Sequence, residues 1–221
     1  TRPVHRSHLP FLVFICEASS LGGLLWGFEA IVISGTIKPD KMQFDLPPAL
    51  EGFFVSSGLL GAVIGSGLAG WLSDRIGRSR NLFLAAVLLW VSAWACSFAI
   101  HFGFLFFARW LGWLGVGISA MVCQIYISEI SPTHVRGRLV TVFQFAITIG
   151  ILAALFNNLA VHRWAQALGP TVEPGGFLAW FVVEETWRAM FAAELLPGIV
   201  FLVLAATVPE SPRWLVKADR P

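Results

Sequence analysis

The sequence predicts an all-α integral membrane protein with six transmembrane helices, and its composition is the first reason. Of the 221 residues, 57% are hydrophobic and only 13% are charged, and the mean hydropathy is +0.75. Soluble domains contain about 25% charged residues, so this chain has too little polar surface to live in water. The net charge of +2 is too small to indicate a nucleic-acid partner.

Six apolar runs are long enough to cross a bilayer, whose core of about 30 Å requires around 20 helical residues. Gly22, Gly23 and Gly27 interrupt the first run, which predicts a tilt or bend there. A shorter run, 176–183, cannot span and is expected to lie at the interface. The predicted helices are 9–37, 52–73, 81–100, 103–130, 139–161 and 186–208.

Basic residues in the loops predict the orientation of the chain in a plasma or inner cell membrane. Six crossings place both termini on one side, and the cytoplasmic side of a membrane protein collects more Lys and Arg. The opposite side holds only Lys38, Lys41, Arg163 and Arg188. Both termini are therefore predicted to be cytoplasmic. The residues collected on their side are Arg2, Arg6, Arg75, Arg78, Arg80, Arg136, Arg138, Arg213, Lys217 and Arg220.

The second run contains a stripe of glycines. Gly58, Gly61 and Gly65 recur at spacings of three and four residues, which places them on one helix face. A face without side chains lets a neighbouring helix approach closely. The stripe therefore predicts tight packing of the second helix against another.

Three ionisable residues fall inside the predicted helices at similar depths: Glu29, Arg109 and Glu194. At 1.5 Å per residue, all three lie roughly 9–12 Å below the outer surface of the apolar slab. Charges at such a depth normally face a cavity or pair with one another. An arginine between two carboxylates stabilises one negative charge, while burial disfavours a second. This arrangement predicts a proton-coupled switch; a static ion cluster that fixes helix packing is the alternative.

Acids at helix ends and arginines just beyond them form a second set on the cytoplasmic side. Such residues can pair across the cytoplasmic mouth and hold one state of a moving bundle closed. Exposed ion pairs contribute only about 0–1 kcal/mol, so a solvated charged face is the alternative. The set consists of Asp74, Arg75, Arg78, Glu129, Arg136, Arg138, Glu210 and Arg213.

The sequence gives no sign of an enzyme, a cofactor or a metal site. The three cysteines, Cys16, Cys96 and Cys123, are widely spaced in apolar runs, as packing residues are. The histidines fall at termini or in loops, and neither a nucleophile–base pair nor a metal-spaced cluster is present in the sequence.

Several motifs together resemble one family. GSGLAGWLSDRIGRSR (65–80) resembles the loop signature between helices two and three of the major facilitator superfamily. ETWRAMFAAELLPG (185–198) resembles the proton-coupled bacterial members of its sugar porter family. The motifs that narrow the resemblance to sugar porters are GFEAIVISG (27–35), ARWLGWLGVG (108–117), YISEISPTHVRGR (126–138) and VPESPRWL (208–215).

The resemblance implies a fold and a set of site residues. The fold is the amino-terminal half of such a transporter, two inverted three-helix repeats. Glu29 falls where proton-coupled members usually have Asp, and Arg109 and Glu194 match the family's partner arginine and acid. Gln144 matches a glutamine that hydrogen-bonds sugar hydroxyls. Trp26 and Phe28 match aromatics beside the sugar path, although helix packing explains them equally well.

The length of the chain sets a further expectation. Members of the resembled family have twelve helices, whereas this sequence ends at Pro221, just after the sixth predicted helix. We therefore expect residues 1–221 to form one six-helix domain without the carboxy-terminal half. A second half, either a carboxy-terminal domain or another copy of the chain, would complete a proton-coupled hexose or pentose transporter. A passive sugar facilitator and a non-transporting binding or assembly module are the alternatives.

Overall fold

The computed structural model describes residues 9–44, 47–132, 134–173 and 175–217, and it is helical. Six stretches are long and apolar enough to cross a membrane, as the sequence predicts. Arg2, Arg6 and Arg220, which contribute to the predicted orientation, lie outside the described residues. The helices are α1 (Leu9–Phe44), α2 (Pro48–Ile76), α3 (Arg78–Ser97), α4 (Phe102–Ile130), α5 (Arg136–Leu168), a short π-helix (Ala179–Glu184), α6 (Thr186–Ala192), α7 (Leu195–Thr207) and α8 (Pro212–Lys217).

Several helices extend beyond their apolar runs. α1 continues past residue 37 to Phe44, and α5 continues past residue 161 to Leu168. Hydropathy shows which part of a helix is apolar, whereas the helix itself ends where its backbone hydrogen bonding is interrupted. For α5 that point is Gly169, followed by Pro170, which lacks a backbone N–H. The short run 176–183 forms most of the π-helix, where the ring of Phe181 packs against that of Phe98 at the end of α3, with ring centres 5.7 Å apart and planes tilted by 38°.

The glycine stripe of α2 packs against α4, as predicted. Gly58, Gly61 and Gly65 are buried. A Cβ at Gly65 would come closer than 3.0 Å to the carbonyl oxygen of Leu114, and a Cβ at Gly117 of α4 would come equally close to the α2 backbone. The two backbones therefore touch, because glycine stands at both contact points.

α1 and α5 repeat this arrangement. A Cβ at Gly27 of α1 would come closer than 3.0 Å to the backbone of α5, and one at Gly150 of α5 equally close to the backbone of α1. Matching α1 to α4 and α2 to α5 is the correspondence that two three-helix repeats produce. α1 is continuous through Gly22, Gly23 and Gly27, where the sequence predicts a tilt or bend. Gly27 and Gly23 both provide close packing against α5. A Cβ at Gly23 would lie 2.8 Å from the Phe143 carbonyl oxygen.

The central helices of the bundle are α1 and α4. The membrane-spanning parts of both are mostly buried, whereas α2 and α5 leave most of their surfaces exposed. Large apolar side chains such as Leu60, Phe145 and Phe156 are more than half exposed on those outer faces. Side chains at the centre of α1 and α4 are consequently shielded from the surroundings of the domain.

Candidate functional site

The sixth membrane-spanning stretch is broken into α6 and α7 at Ala193 and Glu194. Pro197 has no N–H, and its ring excludes the carbonyl of the residue four positions earlier, Ala193, from a regular helix. The Glu194 N–H donates to the Phe191 carbonyl three residues back, at 3.1 Å, and the φ and ψ angles of −70° and −21° at Glu194 are those of a 3₁₀ turn. The predicted single helix is therefore two helices, with an acid at the junction.

Glu29 of α1 and Arg109 of α4 form a buried ion pair. The Arg109 Nη1 donates to the Glu29 Oε1 at 3.4 Å, and its Nη2 lies 3.5 Å from the Glu29 carbonyl oxygen. Both residues are only 2% exposed. The guanidinium also lies 5.7 Å from the ring centre of Phe54 and 5.8 Å from that of Trp113. Aromatic faces and one carboxylate thus surround the arginine.

Glu194 is the third member of the cluster, as its depth predicts. It is 1% exposed, and its carboxyl lies within electrostatic range of both Glu29 and Arg109. Neither carboxylate oxygen accepts a hydrogen bond of normal geometry from any described residue. The structure therefore brings all three predicted residues together, with the Glu29 carboxyl paired to Arg109 and the Glu194 carboxyl within range of both.

Two small α3 residues border this cluster: Ser92, which the sequence did not single out, and Cys96, which it predicted only as a packing residue. Cys96 is 1% exposed, and its thiol lies within electrostatic range of all three charged side chains. Ser92 lies 4.0 Å from the Cys96 sulfur, and its hydroxyl donates to the Ala108 carbonyl at 2.8 Å. Their spacing of four residues places them on one helix face, but nothing local showed that this face meets the charges.

The charge count of the cluster determines its chemistry. With both carboxyls ionised and one arginine, the cluster carries a net charge of −1. An uncompensated charge in a buried site is costly, whereas a neutral site with one proton bound is much less so. The cluster is therefore suited to binding and releasing one proton.

The three residues that the resemblance assigns to sugar contacts differ in their exposure. Gln144 is exposed on α5, and the neighbouring Phe143 packs against the half-buried Trp26, with ring centres 6.5 Å apart. Phe28 is only 5% exposed and packs in an apolar core with Val32. Phe28 therefore has the surroundings of a helix-packing residue, whereas Gln144 and Trp26 are accessible from outside the domain.

Arg78, at the start of α3, is the centre of the cytoplasmic set. Its Nη2 lies 3.0 Å from the Glu129 carboxylate of α4, and its Nη1 lies 3.5 Å from that of Asp74. Nη1 also donates to the Ser73 carbonyl at 2.9 Å. Because Arg78 is only 8% exposed, these bonds are better shielded from water than a surface pair.

Glu210 caps α3 from the other end of the chain. Its carboxylate accepts from the backbone N–H groups of Arg78 at 2.7 Å and Ser79 at 3.1 Å. A carboxylate at a helix N-terminus satisfies unpaired N–H groups and interacts favourably with the helix dipole. Gly77 makes room for it with a φ of 100°, and Ser211 joins the network by donating to Glu129. Three predicted acids, Asp74, Glu129 and Glu210, therefore converge on the start of α3.

The other predicted arginines do not join this network. Arg75 stacks on Trp71 of its own helix, 4.2 Å from the ring centre. Arg136 lies 3.5 Å from the Ser131 carbonyl, and Arg138 and Arg213 are exposed. Within the described ranges these four form no ion pair with an acid, so the solvated-face alternative fits Arg138 and Arg213.

The opposite end of the bundle holds a buried arginine that sequence reasoning treated as a loop residue. Arg188 is 2% exposed, and its guanidinium lies 4.5 Å from the ring centre of Trp180 and 4.4 Å from that of Trp187. It pairs with Glu185 and donates to the Ser97 carbonyl at 3.2 Å. The acid three residues before the arginine and the adjacent tryptophan were the available signals.

The fold and the buried cluster together define a class, and comparison with known proteins identifies it. Residues 15–221 match the family described as "Sugar (and other) transporter". The chain belongs to this sugar transporter family of the major facilitator superfamily, and it is a multi-pass membrane protein rather than an enzyme. Its six spans match the amino-terminal domain of that superfamily.

Particular relatives are proton-linked sugar transporters. The chain is 39% identical over 219 residues to the arabinose-proton symporter of Bacillus subtilis (strain 168), covering 99% of this chain and 45% of the relative. It is 35% identical over 243 residues to the D-xylose-proton symporter of Escherichia coli (strain K12), covering 95% of this chain and 46% of the relative. The solved proton:xylose symporter bound to 6-bromo-6-deoxy-D-glucose superposes with a TM-score of 0.79 at 32% identity, covering 96% of this chain and 48% of that one. The chain spans about half the length of these relatives.

Proposed function

We propose that this chain forms the amino-terminal half of a proton-coupled sugar transporter, in which Glu29, Arg109 and Glu194 bind and release the coupled proton. The main support is the buried cluster itself, with two carboxyls and one arginine all at most 2% exposed. Relatives named for proton-linked transport of arabinose and xylose point to a pentose, and the solved relative with a bound glucose derivative points to a hexose as the other candidate substrate.

The proton and the conformation are linked through the charge of the cluster. With a proton bound, the site is neutral and is tolerated in the closed bundle. Without it, the extra negative charge favours a conformation in which water or a partner charge reaches the site. Protonation of Glu29, modulated by Arg109 and Glu194, therefore biases inward against outward opening.

A second six-helix half would complete the sugar path. Gln144 is exposed on α5, and the apolar faces of α2 and α5 lack a partner within the described residues. A polar group facing lipid is costly, so this side is suited to meet another helical half across the sugar. That half is either a carboxy-terminal domain or a second copy, and Trp26 and Gln144 would contact the sugar.

The cytoplasmic network would act as a latch at the inner mouth. Arg78, Glu129 and Glu210 join the ends of α3, α4 and α7 through bonds of 2.7–3.0 Å. Movement of these helix ends would break all of them together. The excess of basic residues on this side supports an orientation with both termini in the cytoplasm.

Transport in proteoliposomes that contain this chain and its completing half tests the proposal. Labelled arabinose, xylose and glucose are measured in two modes, uphill accumulation under a proton gradient and exchange at equilibrium. Glu29→Gln should abolish accumulation but preserve exchange, because the sugar path remains and the proton site is lost. Glu17→Gln is the matched control, since Glu17 is an exposed acid on the same helix.

The outcomes separate the candidate functions. Accumulation that stays pH-dependent in Glu29→Gln would contradict the assignment of the proton site. Sugar flux that never depends on the gradient, even in the unmodified protein, would indicate a passive facilitator. No binding of any of these sugars would indicate a non-transporting binding or assembly module.

A further inference from the structure

The break between α6 and α7 leaves the Met190 carbonyl without its helical partner. In a continuous α-helix the Met190 carbonyl would accept from the N–H of Glu194, four residues later. That N–H donates to Phe191 instead. A buried carbonyl that is left unpaired costs free energy, so the group that replaces the lost donor stabilises the break.

Asn157 of α5 is that group. Its side-chain amide donates to the Met190 carbonyl oxygen at 3.1 Å, and the residue is half-buried. The amide takes the place of the Glu194 N–H at this oxygen, so the broken junction does not leave the Met190 carbonyl unpaired. The break places Glu194 at the junction, within range of Glu29 on α1 and Arg109 on α4.

We propose that Asn157 is a positioning residue for the proton site, since its hydrogen bond to Met190 holds the α6–α7 junction in the broken form that directs Glu194 at Glu29 and Arg109. Pro197 disrupts the helix but does not fix how the backbone groups at the break are oriented. Asn157 fixes the Met190 carbonyl from a third helix, α5. Only the consequence for coupling rests on the proposed function; the structural link between Asn157 and Glu194 does not.

The neighbouring Asn158 is a matched control. It is also on α5 and also donates its amide to a backbone carbonyl at 3.1 Å, but the acceptor is Val32 of α1. Replacement of either asparagine by leucine removes one interhelical hydrogen bond. Only the first change touches the junction that carries Glu194.

A double-mutant cycle in nanodiscs tests the link. Asn157→Leu and Asn158→Leu are measured alone and combined with Glu194→Gln, with the apparent melting temperature as the readout. Each asparagine variant should melt about 2–6 °C lower, as expected for the loss of one buried hydrogen bond. Asn158→Leu should be additive with Glu194→Gln, whereas Asn157→Leu should depart from additivity by more than about 2 °C, because the two residues act on one arrangement.

Additive behaviour of Asn157→Leu would overturn the proposal, since a bond that merely ties two helices together does not depend on the charge of Glu194. If Asn157→Leu fails to fold, Asn157→Ser takes its place in the cycle. Transport separates this inference from the proposed function. Asn157→Leu should lower the accumulation ratio about threefold or more with exchange preserved, whereas Asn158→Leu should leave that ratio unchanged. If Glu29→Gln keeps its coupling while the cycle is non-additive, the proton assignment fails but the positioning role remains.

Discussion

Substitution of Gly65 by alanine tests the close packing of α2 against α4. An added Cβ would come inside 3.0 Å of the Leu114 carbonyl oxygen, 3.1 Å from its carbonyl carbon and 3.2 Å from the Ile118 nitrogen. All three atoms belong to the backbone, so no side-chain rotation relieves the overlap. The two helices must separate along this contact.

The cost follows from the loss of packing. A gap of about 0.5–1 Å forfeits a quarter to a half of the dispersion energy of the atoms on either side. Overpacking of this kind costs about 1–3 kcal/mol. Gly67, two residues later on the same helix, is the matched control, because no atom lies within 4 Å of the position of its Cβ. Gly67→Ala should stabilise the helix by about 0.5–1 kcal/mol, since alanine loses less backbone entropy.

The assay is thermal unfolding of both variants in the same nanodiscs, followed by intrinsic tryptophan fluorescence. For a chain of this size about 2–4 °C corresponds to 1 kcal/mol, so Gly65→Ala should melt roughly 3–15 °C below Gly67→Ala. Equal melting temperatures, or a more stable Gly65→Ala, would refute the backbone contact. The same result would also argue against the close backbone contact between α1 and α5, which is inferred from the same geometry at Gly27 and Gly150.

Three further predictions concern other parts of the bundle. Gly77→Ala should destabilise the domain by about 1–3 kcal/mol and lower its melting temperature. Gly77 has a φ of 100°, and an added Cβ would collide with the Glu210 carboxylate that caps α3. An unchanged melting temperature would contradict this prediction. Arg188→Lys should cost about 1–2 kcal/mol in the same measurement, because an ammonium cannot reproduce the contacts of the guanidinium with two tryptophan rings. Full stability of the lysine variant would show that charge alone suffices. Cys96 and Cys123 are at most 1% exposed. In a Cys16→Ser variant, a membrane-permeant maleimide should therefore react fully with these two thiols only after the protein unfolds. Rapid labelling of the folded protein would disprove their burial.

The sequence alone predicted most of the architecture, because hydropathy and glycine spacing are local properties. Apolar runs gave the six spans, and the three- and four-residue recurrence of glycines gave the close contact of α2. Depth arithmetic placed Glu29, Arg109 and Glu194 at one level, which is why their convergence could be predicted before any contact was known. A charge buried at a given depth has few partners other than charges at the same depth.

Only the tertiary structure decided how these side chains pair. The rotation of each helix about its axis depends on contacts with residues distant in sequence, and no local pattern contains it. Thus Phe28 lies in a packed core and Gln144 on an open face, although both were candidate sugar contacts. The α6–α7 break was visible in principle from Pro197. Asn157 on another helix donates to the Met190 carbonyl in place of the lost N–H, and this could be known only once α5 and α6 were placed side by side.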